Sequence, residues 1–382
     1  MQAKYADIAE IQKRIRKSLP HWYPDVTDSN ASLIFVHEKE YHWSRHLLFR
    51  IIGSCSSEGQ GILVKCLKAQ DSQRRVGREI LGGIQHGIRS AGDGPLLEYK
   101  ALSLLYDHFG NGQLDGITAV RTLAHFADIN TLVLEHVPGR NLLLLTLAAA
   151  KPWARRSTIQ AAVDGADRAG RLAGALHQIK RDNYPRKEPF DREAYHKNLQ
   201  IKVDVLLNLS IGATARTRLN RALQTVRQLT SDFNEDVIVT YLHSDFYLDN
   251  FIVLPDGRVC TIDTMLEWTG PVEKDIAELF VFAKTPTQRL VGGAAIVRAY
   301  TLDRIIQAFI AGYRQRIRYS SRVLILYQLL ALVQRWSSLL GSLREKSPGL
   351  IAPLFQRVRL EPFMLGYLDL ICNHCGKEFC NE

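Results

Sequence analysis

The sequence lacks the usual marks of an exported or membrane-spanning chain. Residues 1–7 contain no apolar core of the signal-peptide type. The longest uncharged apolar stretch, residues 323–334, is too short and too interrupted to cross a bilayer. The sequence also has no low-complexity run and no internal repeat. We therefore expect a globular protein with no transmembrane segment, located in the cytoplasm.

Cysteine is scarce, with six residues in a chain of 382. Three of the six are scattered through apparent strands and are typical of small buried apolar side chains. The others, Cys372, Cys375 and Cys380, lie in the last segment, with His374 inside the pair of the CxxC motif. A zinc site needs four ligands and usually a second pair farther along, so reactive or unpaired thiols are favoured over metal. Nothing in this pattern indicates export, and a reducing cytoplasm is expected.

An excess of acidic residues is absent as well. The chain has 49 Lys and Arg against 39 Asp and Glu, a net charge of +10. This balance favours anionic partners, such as phosphorylated sugars, lipid-linked glycans or an anionic membrane face, unless the surplus is spread thinly for solubility. We expect no nucleic-acid partner. A basic amphipathic helix over residues 8–20, ended by Pro20, fits either peripheral membrane contact or a solvated helix face.

Polar side chains with chemical potential are concentrated in one stretch near the middle of the chain. Its apolar runs predict three short strands, with the turn signal Pro-Asp-Gly at residues 255–257 before the last strand. Asp245 and Asn250 lie in the loop after the first strand, and Asp263 lies just past the third. Two carboxylates and an amide suit a hard cation such as Mg²⁺, which prefers oxygen ligands. The alternative is that these are ordinary turn residues of two hairpins.

The order and spacing of the polar residues carry a family resemblance. The motif residues are His243, Asp245, Asn250 and Asp263, followed by Gly270 and Asp275-Ile-Ala277. This set resembles the kinase-like phosphotransferases, specifically the aminoglycoside phosphotransferase and choline kinase group, over roughly residues 30–315. The resemblance implies an α+β, two-lobed protein-kinase-like fold. A small β-rich nucleotide-binding lobe is expected over residues 1–136, and a larger helical lobe with the catalytic loop and acceptor site over residues 137–382.

The resemblance also implies roles for these residues in transfer of phosphate from ATP. Asp245 would orient the acceptor hydroxyl and accept its proton, and Asn250 and Asp263 would hold Mg²⁺. His243 would brace the loop. Asp275 would either cap the following helix or fix the loop.

Nucleotide-binding residues are expected in the N-terminal half. Lys65 lies within an apolar strand, where a lysine is costly unless it is paired or functional, and it fits the lysine that contacts ATP phosphates. Glu98, on a helix that begins near Pro95, is the expected partner of Lys65. The resemblance places adenine contacts at Glu135 and Val137. The expected phosphate-covering turn, residues 43–46, lacks the glycines of that loop.

The acceptor is expected to be a small molecule or a glycan hydroxyl. A helix begins near Glu273, within about ten residues of Asp263, which leaves too little chain for the long activation segment of a protein kinase. The loop is also similar to that of lipopolysaccharide core kinases, so a glycan kinase acting near the membrane is one alternative. A nucleotide-binding pseudokinase is another, although it would require one of the chemical residues to be missing.

Overall fold

The computed structural model describes residues 7–27, 29–41, 44–53, 55, 57, 59–67, 93–110, 114–209, 211–231, 233–243, 245–287, 297–346 and 351–380. Only the backbone is described at residues 93, 346, 351–352 and 375–380. The chain forms two compact units. The first contains the described residues up to Arg140 together with Ile252–Leu266, and the second contains Asn141–Phe251 and the described residues after Leu266.

A five-stranded antiparallel sheet dominates the first unit. Its strands are Ala31–Glu40 (β1), Ser44–Gly53 (β2), Gly61–Leu67 (β3), Thr122–Phe126 (β4) and Thr131–Glu135 (β5). They lie in the order β1-β2-β3-β5-β4. The apolar strand expected around Lys65 is confirmed as β3.

The turn between β1 and β2 differs from the sequence prediction. The backbone N–H of Tyr41 donates to the carbonyl of Ser44 over 2.7 Å, so the chain has already reversed when it reaches Ser44. Ser44, Arg45 and His46 therefore belong to β2 and not to a phosphate-covering turn. Trp43, the first residue of the expected turn, lies outside the described residues.

The N-terminal helix covers one face of this sheet. It runs over Ile8–Trp22 (α1), so the prediction that Pro20 ends it was wrong. A proline in the last turn removes one helical hydrogen bond, and here the helix continues for two residues beyond it. Ile11, Ile15 and Leu19 are buried against the sheet. The apolar face that a membrane would need is thus used in the core of the first unit.

The remainder of the chain is mainly helical. The helices after α1 are Asp93–Phe109 (α2), Leu142–Ala149 (α3), Arg156–His177 (α4), Arg192–Asn208 (α5), Ala213–Leu229 (α6), Val272–Lys284 (α7), Ala299–Arg314 (α8), Ser321–Lys346 (α9), Ile351–Phe355 (α10) and Glu361–Cys380 (α11), with a π-helical segment at Gln356–Leu360. The shorter strands are Arg140–Asn141 (β6), Arg186–Pro189 (β7), Asp236–Tyr241 (β8), Phe251–Val253 (β9), Val259–Thr261 (β10) and Thr269–Pro271 (β11). In the second unit, β8 pairs with β7 and β11.

Helices α5 and α6 precede the segment that contains Asp245 and Asn250. Their apolar faces join the core of the second unit, in which Leu206, Leu219 and Trp336 are almost completely buried. Helix α9 supplies Trp336 to this core. It is long and apolar enough to cross a membrane by length and composition alone, but 67% of its most apolar window is buried inside the fold.

Helices α4 and α8 approach each other at two glycines. A Cβ atom on Gly170 would overlap the carbonyl oxygen of Phe309, and one on Gly312 would overlap the carbonyl oxygen of Asp167. Both overlapping atoms are backbone oxygens, which cannot move aside as the end of a side chain can. The contact therefore requires glycine at both positions. This close approach fixes the position of Tyr313, whose hydroxyl lies 2.7 Å from Nδ1 of His177.

Candidate active site

Strand β3 places Lys65 on the face of the sheet opposite α1. Side chains alternate along a strand, and Ile62, Val64 and Cys66 point into the core beneath α1. Lys65 therefore faces the other way, between His46 of β2 and Leu132 of β5 in the sheet register.

Lys65 is held by two carboxylates in the first unit. Its Nζ donates to Oε2 of Glu98 over 2.7 Å and to Oδ1 of Asp263 over 2.5 Å. The expected pairing with Glu98 is present, whereas the bond to Asp263, expected only as a metal ligand, was not predicted. The ammonium group is thereby fixed at one point by residues from three elements of the chain.

Burial and charge oppose each other in this cluster. Burial lowers the pKa of Lys65, but the charges of Glu98 and Asp263 raise it by more than burial lowers it. The net shift is upward, and the lysine stays charged. Burial raises the pKa of Glu98, which is 3% exposed, against the lowering effect of Lys65. Burial also raises the pKa of Asp263, but the charge and hydrogen bond of Lys65 outweigh it and hold that pKa below its usual range.

The hairpin of β9 and β10 brings Asp263 to Lys65. The backbone N–H of Thr118 donates to the carbonyl of Val259, and the N–H of Val259 donates to the carbonyl of Gly116, both over 3.0 Å. These bonds fix the first residue of β10, Val259, in the first unit. Asp263 follows with φ of 56°, a left-handed conformation that is uncommon outside glycine, and its side chain is 36% exposed. Its carboxylate can therefore hold Lys65 and still be reached by a ligand.

The residues expected to contact adenine lie at the end of β5. The backbone N–H of Glu135 donates to the Arg121 carbonyl over 2.9 Å, and that of His136 donates to the Gly61 carbonyl over 2.8 Å. Within the described residues, the N–H of Val137 has no such partner. A backbone donor of this kind fits the edge of a purine, which is recognised by hydrogen bonds to main-chain groups.

In the second unit, the loop after β8 carries Asp245 at its exposed side. Asn250, which is buried, donates from Nδ2 to the carbonyl oxygen of Asp245 over 2.7 Å and to its Oδ2 over 3.1 Å. The N–H of Tyr247 also donates to the Asp245 carbonyl, over 3.0 Å. The loop is thus closed on itself, with the Asp245 carboxylate oriented by the amide of Asn250.

His243 and Asp275 anchor the beginning of this loop. Oδ2 of Asp275, in the first turn of α7, accepts from the backbone N–H of His243 over 2.7 Å and from Nε2 of His177 over 3.1 Å. Nδ1 of His177 lies 2.7 Å from the Tyr313 hydroxyl. Burial raises the pKa of Asp275, but His177 and the other donors lower it more, so the net shift is downward. These contacts are those of a structural anchor, and His177 is likewise part of it.

Two residues contact the site although the sequence analysis did not single them out. Asn141 is the N-cap of α3, and its side chain accepts the Leu144 N–H over 3.1 Å. It also donates to the carbonyl of Asp249 over 2.5 Å, which ties the loop after β8 to that helix. An Asn directly before four leucines is a capping signal that could have indicated it. His46 lies beside Lys65, and burial followed by the lysine charge lowers its pKa to about 4. Only the strand register reveals His46.

No metal cluster is formed by His, Cys, Asp and Glu alone in the part of the chain that the structure describes. Asn250 and Asp263 as ligands of Mg²⁺ stay a prediction. The side chains of Cys375 and Cys380 lie outside the described residues, so the expectation of free thiols in the tail stays a prediction.

The sequence matches no protein-family model and no curated protein. Solved structures similar to this chain include a glucosamine kinase, 13% identical with a TM-score of 0.52, covering 99% of this chain and 100% of that one. A choline kinase from Cryptosporidium parvum Iowa II is 12% identical with a TM-score of 0.51, covering 97% and 98%. The chain has the protein-kinase-like fold. The α+β architecture, with a β-sheet N-terminal region and a mainly helical remainder, is thereby confirmed.

A third similar structure is of glucosamine kinase in complex with glucosamine, ADP and inorganic phosphate. It is 13% identical, has a TM-score of 0.50, and covers 89% of this chain and 94% of that chain. At these identities the protein-kinase-like fold is what this chain shares with its neighbours. The roles of its own residues are argued from their geometry.

Proposed function

We propose that this chain is an ATP-dependent phosphotransferase that moves the γ-phosphate of ATP to a hydroxyl group of a small molecule or a carbohydrate. The observation that carries the proposal is the pairing of the half-buried Lys65 with Glu98 and Asp263. A lysine on the inner side of a strand, held charged by two carboxylates, is costly for stability alone and suits a site for phosphate groups. A cytoplasmic location, where ATP and Mg²⁺ are available, goes with this proposal.

The residues of the second unit support the acceptor side of the reaction. Asp245 is exposed, and Asn250 donates to its Oδ2 while a second hydrogen bond fixes its backbone. An oriented carboxylate of this kind can bind the acceptor hydroxyl and accept its proton as the oxygen attacks phosphorus. The proton moves from the acceptor oxygen to Asp245, and the bond from the γ-phosphorus to the β,γ-bridging oxygen breaks, which releases ADP.

Mg²⁺ and ATP, when bound, supply the phosphoryl group and the positive charge that phosphate transfer requires. We propose Asn250 and Asp263 as the oxygen ligands of Mg²⁺ and Lys65 as the cation that contacts the phosphates, with Glu98 keeping the lysine in place. Val137 and Glu135 would bind adenine through the main chain. The neighbouring structures named for choline and glucosamine kinases make a small polar alcohol the acceptor class that this proposal favours.

The decisive experiment is Mg²⁺-dependent ADP release by the wild-type chain and by Asp245→Asn, with pools of amino sugars, choline, simple sugars and glycolipid extract. Asp256→Asn is the matched control, because Asp256 is an exposed carboxylate that only orders the turn at Arg258. We expect one pool to support turnover in the wild type and the control and at least a 100-fold loss in Asp245→Asn, on the order of the contribution of a general base.

Binding measurements separate the other outcomes. ATP binding without turnover in any pool would favour the pseudokinase alternative. If the wild type and Lys65→Met both fail to bind ATP with Mg²⁺, the assignment of the nucleotide site is wrong.

A further inference from the structure

An aromatic and cationic stack extends from the catalytic loop into the second unit. Tyr247 follows Asp245 by two residues, and its ring lies 3.9 Å from that of Phe282 in α7, with 32° between the planes. The guanidinium carbon of Arg335 in α9 lies 4.4 Å from the centre of the same Phe282 ring. The three side chains are all half-buried. The stack therefore connects a cation on α9 to the loop that carries the proposed catalytic carboxylate.

Arg335 is poorly satisfied by the protein itself. Its Nη2 makes a long hydrogen bond of 3.4 Å to the carbonyl of Thr285, and its Nε is buried without a partner. Among the described residues no carboxylate lies within ion-pair distance of it, whereas Arg322 on the same helix has Glu235 at 3.4 Å. A half-buried guanidinium with an unpartnered Nε is costly, and stacking on one ring offsets only part of the cost.

The nearest acidic groups do not complete this cation. Burial lowers the pKa of Arg335, and only weak charge effects from Tyr247 and Asp249 oppose it. Glu278, one helical turn before Phe282, has positive charges of its own nearby. Burial raises its pKa to about 7 against the lowering effects of Lys274 and Lys202. Among the described residues, Arg335 therefore places a positive charge beside the Asp245 loop that no ion pair neutralises.

We propose that Arg335 binds an anionic group of the acceptor, so that the substrate is an alcohol that also carries a phosphate or a carboxylate. The inference rests on the proposed function, because it assigns the acceptor of the reaction at Asp245. Guanidinium matches the planar oxygens of both groups and binds them through two parallel hydrogen bonds. A quaternary ammonium acceptor is disfavoured, because the π surface of Phe282 that would hold it already carries Arg335.

Anion binding can be tested directly by nuclear magnetic resonance on the full chain labelled with ¹⁵N at arginine. The Nε–H resonance of Arg335 is assigned by its loss in Arg335→Lys. Arg314 is the matched control, since its guanidinium also lies over an aromatic ring, 5.1 Å from the centre of Tyr319. We expect inorganic phosphate or acetate to shift the Arg335 resonance saturably and to leave that of Arg314 in place, with chloride at equal ionic strength producing no shift.

The two probes distinguish the sources of the anion, since phosphate or acetate alone identifies the group that the site prefers. Failure of both to shift the resonance overturns the inference. A saturable shift produced equally by ADP with Mg²⁺ would also overturn it, because Arg335 would then belong to the nucleotide site. Anion binding in a chain that transfers phosphate to no acceptor would contradict the proposed function while leaving the anion site intact.

Kinetics provide the second readout once an acceptor pair is found, such as a sugar and its phosphate or carboxylate derivative. Arg335→Lys keeps the charge but loses the forked donor set, and we expect its KM for the anionic acceptor to rise about 10- to 100-fold. The KM for ATP and the turnover of the uncharged acceptor should stay unchanged, as should all constants of Arg314→Lys. An equal loss on charged and uncharged acceptors would overturn the inference.

Discussion

Replacing Lys65 with methionine should destabilise the first unit in a way that depends on pH. The substitution removes the cation that lies 2.7 Å from Glu98 and 2.5 Å from Asp263. Asp263 is partly exposed, so water compensates it, and the cost falls mainly on Glu98, which is 3% exposed. A buried carboxylate can escape the cost of its charge by taking up a proton.

Protonation sets the size of the effect. Starting from the ordinary pKa of 4.5 for Glu98, holding the proton at pH 7 costs about 3 kcal/mol, at 1.36 kcal/mol for each pH unit. At pH 5 the same step costs about 1 kcal/mol. Because the folded variant keeps a proton that the unfolded chain releases, its stability falls as pH rises above 4.5. In the wild type the pKa of Glu98 is already raised to about 7, so the two proteins diverge only above that pH, and Lys65→Met should lose about 1 kcal/mol more unfolding free energy, relative to the wild type, at pH 8 than at pH 6.

The assay is urea unfolding at pH 6, 7 and 8, with hydrogen–deuterium exchange on peptides of β3 to report the first unit. The control is Lys65→Met with Glu98→Gln, which has no buried charge left at Glu98 and should regain most of the lost stability. Both variants should lack phosphotransfer. The reasoning is refuted if the loss is the same at pH 6 and pH 8, or if the double variant is no more stable than the single one at pH 8.

Three further predictions concern the second unit. Burial raises the pKa of Glu273 to about 7, so the folded state retains a proton that the unfolded chain releases. The unfolding free energy should therefore fall by about 3 kcal/mol between pH 5 and pH 8, and Glu273→Gln should lack this part of the pH dependence. Gly312→Ala should lose about 1–3 kcal/mol in denaturant unfolding because its Cβ overlaps the backbone of α4, whereas Gly341→Ala, with open space around it, should be neutral or stabilising. Asp275→Ala removes the acceptor of two buried donors and should cost about 3 kcal/mol, while Asp275→Asn, which keeps one acceptor oxygen, should cost less; equal losses in thermal unfolding would contradict this.

The sequence allowed the chemical residues to be predicted because their signals are local. Asp245 and Asn250 lie five residues apart in a loop between strands, and a lysine inside an apolar strand is conspicuous. The partners of Lys65 lie 33 and 198 residues away, so Glu98 could be proposed only through the family resemblance. Their roles in nucleotide and metal binding stay predictions.

Features that depend on packing between distant helices could not be predicted. Arg335 is one of many arginines in the sequence, and only the approach of α9 to α7 sets it over Phe282. The same holds for α1, whose basic residues suggested a solvated helix or a membrane contact. Its apolar residues fill the core under the sheet, together with the inward-facing residues of the strands.

The division of the first unit along the chain has a consequence for its assembly during synthesis. All five strands and Glu98 lie before Arg140, but Ile252–Leu266, which carries Asp263, follows the whole insertion of α4, α5 and α6. At ribosomal rates of about 5–20 residues per second, the roughly 120 residues between Arg140 and Leu266 take about 6–25 s to emerge. During that time the nascent sheet has Lys65 paired with Glu98 alone. We therefore expect Lys65 to gain its second carboxylate only once residue 266 has left the exit tunnel.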